Sequence, residues 1–291
     1  MTLRELDTGD AVAKTAEAAV KAWRPAGFEG LELESLTPGP AARPLLVCDH
    51  YSLQVVTQAR SRVFYQRATQ TISIKEPTLV LQNPGEIFGY EDVGDVGVRA
   101  RAFNLPPDLL GRLSADCGTP GTPYFPKLLV GEAHGIHLAR LLGDLFRRFE
   151  HPASQLEREA GLLDLLAQIV RLCSQNPPPA RRLGNEHRAV GLIKHHLRDH
   201  YSEEVTLKEL AALTGFNKDY LLKVFTRDTG VSPHVYLTCV RIHHAKDFLA
   251  RGWSIAQAAY ATGFADQSHL HHTFRRYAMT TPGRYQRDNR G

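Results

Sequence analysis

Apolar and polar positions change rhythm along this chain. Between residues 28 and 105 short apolar runs alternate with Pro, Gly, Asn and Asp breaks. The runs include Leu46-Val47-Cys48, Leu53-Gln54-Val55-Val56, Val63-Phe64-Tyr65, Thr71-Ile72-Ser73-Ile74 and Thr78-Leu79-Val80-Leu81. β-Branched and aromatic residues in such runs predict strands, and many short strands with turn chemistry predict a barrel or sandwich. Asn83-Pro84-Gly85-Glu86 reads as a turn between two of them. Ahead of this region, 10–23 (DAVAKTAEAAVKAW) predicts a short helix that stops before Pro25. Beyond it the period becomes three to four. Leu138, Leu141, Leu142, Leu145, Phe146 and Phe149 form one stripe over 136–149; Leu156, Leu163, Leu166, Ile169, Val170 and Leu172 form another over 156–172. His151-Pro152-Ala153-Ser154 breaks them into an antiparallel pair. Their surplus of apolar positions suits either packing on their own domain or dimerisation.

Residues 174–182 (SQNPPPARR) interrupt the pattern. Three consecutive prolines remove backbone donors and fix φ, so this run predicts a semi-extended spacer. After it the chain repeats itself. Ala211-Ala212-Leu213-Thr214-Gly215-Phe216 matches Ala259-Tyr260-Ala261-Thr262-Gly263-Phe264 at an offset of 48; Leu221, Phe225, Ser232-Pro233 and Tyr236 match Leu270, Phe274, Thr281-Pro282 and Tyr285 at 49. Each copy carries helix punctuation. Thr206 with Glu209, and Ser254 with Gln257, are capping boxes. Gly215 and Gly263 stand where a helix ends in positive φ, and Asn217 and Asp266 are N-caps for the next helix. Ser232-Pro233 and Thr281-Pro282 start further helices. Each unit therefore reads helix, tight glycine turn, helix: two helix-turn-helix units, joined by one helix over 233–250.

Charge sharpens this reading. The net charge is only +4, but from Arg182 onward sixteen Lys and Arg face ten Asp and Glu, and ten of the fourteen histidines fall there. A basic second half suits a nucleic-acid partner. No apolar run approaches the roughly 18 residues of a membrane span, and the start lacks a signal-peptide pattern, so a cytoplasmic location is expected. Cys48, Cys117, Cys173 and Cys239 are scattered, as expected of reduced structural thiols.

The pattern Leu207, Leu210-Ala211, Gly215, Tyr220-Leu221, Phe225, Gly230, Ser232-Pro233, Tyr236-Leu237, Arg241, Ala245, Ser254-Ile255, Ala258, Gly263-Phe264, Asp266-Gln267-Ser268-His269, Phe274 and Thr281-Pro282 resembles the AraC/XylS-type transcription regulators over roughly 186–286. Upstream, Gly30-Leu31-Glu32-Leu33, Asn83-Pro84-Gly85-Glu86 and Leu105-Pro106-Pro107-Asp108-Leu109-Leu110 resemble that family's cupin-type regulatory domain more loosely. The resemblance implies an α+β protein: a cupin-like β-barrel over 1–130 that senses an effector, a helical pair over 131–174 with a possible dimerisation role, a Pro-rich linker over 175–185, and a double helix-turn-helix DNA-binding domain over 186–287. Its partners would be double-stranded DNA, a small-molecule effector and a second copy in a homodimer; the alternative is a β domain that binds protein and no small ligand. Two positions depart from the family. Met279 stands where a glycine is usual, as Gly230 is in the first unit, so the last helix connection is expected to be altered. His271-His272 stands where Ser-Arg is usual, which removes a permanent bidentate charge.

Candidate DNA contacts follow from the helix faces. With Leu221, Val224 and Phe225 inward, the first recognition helix offers Lys218, Asp219, Leu222, Lys223 and Thr226. With Leu270, Thr273 and Phe274 inward, the second offers Gln267, Ser268, His271, His272 and Arg275. Gln reads adenine bidentately, and Arg reads guanine or holds phosphate. Arg241 is either a phosphate contact or half of a structural ion pair. Catalysis and metal binding are not expected. Neighbouring histidines such as His195-His196, His243-His244 and His271-His272 point about 100° apart on a helix, and His50 is alone between residues 28 and 110. No cofactor and no enzyme motif stands out.

Overall fold

The computed structural model describes residues 20–37, 42–65, 68–93, 97–116, 121–151, 153–175 and 185–289. Nine strands come first: β1 (Val20–Trp23), β2 (Glu32–Leu36), β3 (Ala42–Val47), β4 (Tyr51–Tyr65), β5 (Ala68–Ile74), β6 (Thr78–Gln82), β7 (Ile87–Asp92), β8 (Arg99–Leu105) and β9 (Leu129–Val130). The described part of the helix expected over 10–23 is a strand instead. Val20 and Ala22 are buried and Lys21 is exposed, a period of two, and β1 runs antiparallel to β2 from Val20↔Leu36 to Trp23↔Leu33. The alanine-rich composition favoured helix, and pairing with β2 overrides that propensity. Residues 10–19 lie outside the described region.

The two runs expected as separate strands, 53–56 and 63–65, belong to one fifteen-residue strand, β4. Its first half pairs with β6 and β8. Its register slips between Val56 and Gln58, and its second half pairs with β5 and β7. The slip reverses which face each side chain serves. Before it, Tyr51, Leu53 and Val55 face the helices; after it, Ala59, Val63 and Tyr65 join Val56 between the two halves of the sheet, and Phe64 turns outward. The strand order β1-β2-β8-β4-β6-β9, with β3, β7 and β5 attached through the far half of β4, leaves the sheet open rather than closed into the expected barrel. Its interior is packed by Leu36, Val56, Val63, Ile74, Val80 and Tyr90, leaving about 40 Å³.

α1 (Pro107–Asp116) precedes β9; α2 (Ala133–Glu150) and α3 (Gln155–Cys173) form the expected antiparallel pair. Ser154 starts α3 with a capping box closed by Glu157. Leu138, Leu142, Leu145, Phe146 and Phe149 of α2 are buried with Leu33, Leu53, Leu79 and Phe103 of the sheet. On α3 the buried face is Leu162, Leu165, Leu166, Ile169 and Val170. Leu156, Leu163 and Leu172, expected on the inner stripe, are exposed.

The second half is helical throughout: α4 (Asn185–Asp199), α5 (Leu207–Thr214), α6 (Lys218–Thr229), α7 (Pro233–Ala250), α8 (Ile255–Ala261), α9 (Gln267–Ala278) and α10 (Pro282–Asp288). The linker falls outside the described residues apart from its two ends. The helical half also packs on the sheet. Phe64 and Ile87 enter the cluster of Leu210, Leu221, Phe225 and Tyr236, while Ala22, Leu46 and Val47 join that of Ile242, Leu270, Phe274 and Tyr285.

Candidate nucleic-acid interface and the cleft behind it

The two helix-turn-helix units are built by their own local sequence. Thr206 and Ser254 accept from the backbone N–H of Glu209 and Gln257, whose side chains return the bond. Asn217 caps α6 through Tyr220 N (2.9 Å) and Asp266 caps α9 through His269 N (2.7 Å). Gly215 and Gly263 take φ of 71° and 72° in the turns. A Cβ on Gly263 would meet the Ser202 carbonyl at 2.6 Å, whereas one on Gly215 would meet nothing.

With α6 and α9 aligned by the repeat, four of the five candidate pairs have equivalent exposure. Lys218 and Gln267, Asp219 and Ser268, Lys223 and His272 are all exposed; Leu222 and His271 are both half-buried. Thr226 is half-buried and its counterpart Arg275 is exposed. The rings of His271 and His272 diverge at 81°. Sequence reasoning missed another equivalent pair: Tyr220 and His269 are exposed on the first turn of each helix, and the outward face of α6 runs on to Arg227. The spacing 220, 223, 227 carries that signal, but Tyr220 reads as an apolar family position beside Leu221.

Arg241, on α7, holds two backbone carbonyls. Its Nε donates to the Tyr201 carbonyl (2.7 Å) and its Nη2 to the Glu203 carbonyl (2.8 Å), so it braces the α4–α5 connection. Met279 does not alter the last connection: it adopts φ 54°, as Gly230 adopts 82°, and Thr281 caps α10 normally. Its side chain packs against the sheet's apolar cluster, which gives a reason for a side chain at a glycine position.

Behind α7 lies a cleft of about 790 Å³ between the helical half and the open end of the sheet, lined among others by Arg24, Glu32, Asp49, His50, His243 and Lys246. An ionic network crosses it. Lys246 Nζ lies 2.6 Å from Glu32, Arg24 Nη2 lies 2.5 Å from Asp247, and Tyr285 donates its hydroxyl to Glu32. Burial opposes ionisation of Glu32, but Lys246 and Arg24 outweigh it and hold the carboxyl down at about 2. Burial, with Glu32 beside it, pushes the Tyr285 hydroxyl well up. A second group sits nearby. Asp49 Oδ1 lies 3.2 Å from His50 Nδ1 and 3.1 Å from His243 Nδ1. The expectation that His50 lacks metal-ligand company is thereby corrected: it held along the sequence, but α7 brings His243 to it. The reasoning about adjacent pairs does hold, since His244 turns away to stack on Tyr201 at 3.8 Å. Cys48, Cys173 and Cys239 are free thiols, as expected; Cys117 lies outside the described residues.

Among the described residues no helix is long and apolar enough to cross a membrane. The model of the AraC-like ligand binding domain matches residues 43–166, and that of a helix-turn-helix domain matches 210–288. The uncharacterized HTH-type transcriptional regulator YbfI of Bacillus subtilis is 28% identical over 229 residues, spanning 76% of this chain and 79% of its own length. An uncharacterized HTH-type transcriptional regulator of Staphylococcus aureus is 27% identical over 152 residues, and the match spans only 20% of that protein. The crystal structure of ToxT from Vibrio cholerae superimposes with a TM-score of 0.53 at 14% identity, covering 94% of this chain and 99% of ToxT. A ToxT structure bound to an unsaturated fatty acid gives 0.52 at 13%, covering 94% and 95%. At these identities the likeness to ToxT is one of fold.

Proposed function

This chain belongs to the AraC-type helix-turn-helix transcriptional regulators, with an AraC-like ligand-binding domain ahead of the DNA-binding half, and from that premise we propose that one monomer reads an asymmetric DNA element through α6 and α9 under control of a small molecule held in the cleft. The observation that carries the DNA reading is the pair of equivalent outward faces, Lys218-Asp219-Lys223 and Gln267-Ser268-His272-Arg275, on two capped recognition helices. α7, eighteen residues at about 1.5 Å each, is a strut of about 27 Å. With its flanking turns it suits recognition helices one DNA turn apart, about 34 Å.

The effector reading rests on the cleft. The filled sheet interior favours the alternative, a β domain that binds protein only. The cleft favours a small ligand, because it offers about 790 Å³ of room lined by ionisable side chains, Arg24 and Lys246 among them. Arg24 and Lys246 already share one internal carboxylate, Glu32, so an organic acid competing with Glu32 is the effector class these walls suit. Such a ligand would loosen the sheet from α7 and shift the population able to grip DNA. Dimerisation is part of the same reading: Leu156 and Leu163, seven residues apart on one face of α3, are exposed.

Genome-wide mapping of bound sites, followed by titration of a mapped site with the purified chain across a panel of organic acids, tests this. An acid that changes DNA affinity in the wild type but not in Arg24→Ala supports the cleft reading. Equal responses would place the acid's site outside the cleft, and no response across compounds suggested by the neighbouring genes would favour the protein-binding alternative.

A further inference from the structure

We propose that Asp49, His50 and His243 form a binding site for a divalent transition-metal ion of the zinc type, held between the β3–β4 turn of the sheet and the helix that joins the two DNA-binding units. The inference rests on the geometry of the three side chains and needs no assumption about the organic effector.

The ligand chemistry fits. Two imidazoles and one carboxylate are a common donor set for zinc, with bonds of about 2.0–2.2 Å. Ligand atoms at that distance, set at tetrahedral angles, lie about 3.3 Å apart. Here Asp49 Oδ1 lies 3.2 Å from one Nδ1 and 3.1 Å from the other, and one donor atom from each residue falls within 4.8 Å of the rest. An ion can therefore bind the Nδ1 atoms with small side-chain shifts, each ring keeping its N–H on Nε2. The ligands are then neutral imidazoles, and a ring that starts as imidazolium gives up its Nδ1 proton on binding.

The surroundings suit a metal as well. A metal-bound imidazole usually presents its other N–H to a carboxylate, which fixes the ring. His243 Nε2 faces Asp247 Oδ2 at 3.7 Å, and Asp247 is itself anchored by Arg24 at 2.5 Å. All three candidate ligands line the cleft, so a fourth position is reachable by water. The two histidines stand 193 positions apart in the chain, one on each side of the cleft. An ion here would cross-link the sheet to α7 in a way that no pair of adjacent histidines can.

The test uses the full chain, stripped with chelator and titrated with cobalt(II) as a spectroscopic stand-in for zinc, then with zinc alone. The expected result is one ion per chain, with the visible bands of low-symmetry, four- or five-coordinate cobalt that zinc bleaches. His50→Gln and His243→Gln should abolish the bands, and Asp247→Asn should weaken binding about 10–100-fold while leaving the ligands in place. Since the glutamine variants could lose the fold, a second measurement uses the wild type only. Zinc should protect His50 and His243 from acylation by diethyl pyrocarbonate, read by mass spectrometry, while exposed His195 and His272 react as before. Cobalt bands that persist in folded His50→Gln and His243→Gln, or zinc that protects neither ring, would overturn the proposal and leave Asp49 as a carboxylate bridging two imidazoles.

Discussion

Arg275 and Lys223 occupy the outward faces of their recognition helices, but their chemistry differs. A guanidinium offers a planar fork to guanine, while an ammonium suits phosphate. Arg275→Ala should therefore cost about 1–3 kcal/mol on a mapped site and relax one base position, and Lys223→Ala should lower the salt slope by about one, both read from binding titrations at several salt concentrations. Met279 carries a different conflict. Its φ of 54° costs a non-glycine residue about 1 kcal/mol, yet its side chain packs on the sheet. Alanine keeps the strain and loses the packing. Met279→Gly should thus be more stable than Met279→Ala by about 1 kcal/mol in denaturant unfolding. The sequence marked Met279 as unusual; its compensation is a contact with a distant strand, which local pattern does not encode. The bracing role of Arg241 was hidden for the same reason, since its acceptors are the carbonyls of Tyr201 and Glu203, forty and thirty-eight positions away.

At the scale of elements, the helix-turn-helix units were legible because their signals are local. Capping boxes, N-caps and proline starts act within four residues, and α7 spans the expected 233–250. The sheet was less legible. Residues 20–23, the end of an alanine-rich run, became β1 because a partner strand was available, and β4 ran through a register slip that merges two apparent strands. On α3, leucines of equal hydrophobicity divide between core and surface, and only the packing of α2 on the sheet decides which. The two turns provide a comparison inside one chain. Gly215 and Gly263 share the same positive φ, but only Gly263 lies against backbone. Gly215→Ala should cost about 1 kcal/mol, from conformation alone. Gly263→Ala adds a clash with the Ser202 carbonyl and should cost clearly more, with the loss of melting temperature as the readout.

Over the whole molecule, the Pro-rich linker suggests two independent cores, whereas apolar clusters and a buried ionic network join the two halves. Glu32 is the centre of that network. Glu32→Gln removes one charge while Lys246 and Arg24 stay half-enclosed, so it should destabilise the docked chain by about 3–5 kcal/mol. Because folding holds the Glu32 carboxyl down at about 2 against an ordinary 4.5, its stabilisation is complete above about pH 4.5 and is lost as pH falls through 2. The wild type should lose stability over that window more steeply than Glu32→Gln in acid melts. None of this was visible in sequence, where Glu32 and the neighbours Lys246 and Asp247 look like ordinary surface charges more than two hundred residues apart. The central claim concerns DNA: two unlike helices of one chain read two unlike half-sites. Footprinting of the full chain on a mapped site, beside Lys223→Ala and Arg275→Ala, tests it most directly. The account predicts two protected patches on one face of the duplex, about 10 base pairs apart, with each substitution weakening a different patch. A single protected groove, a symmetric palindrome as the minimal site, or both substitutions weakening the same patch would contradict it.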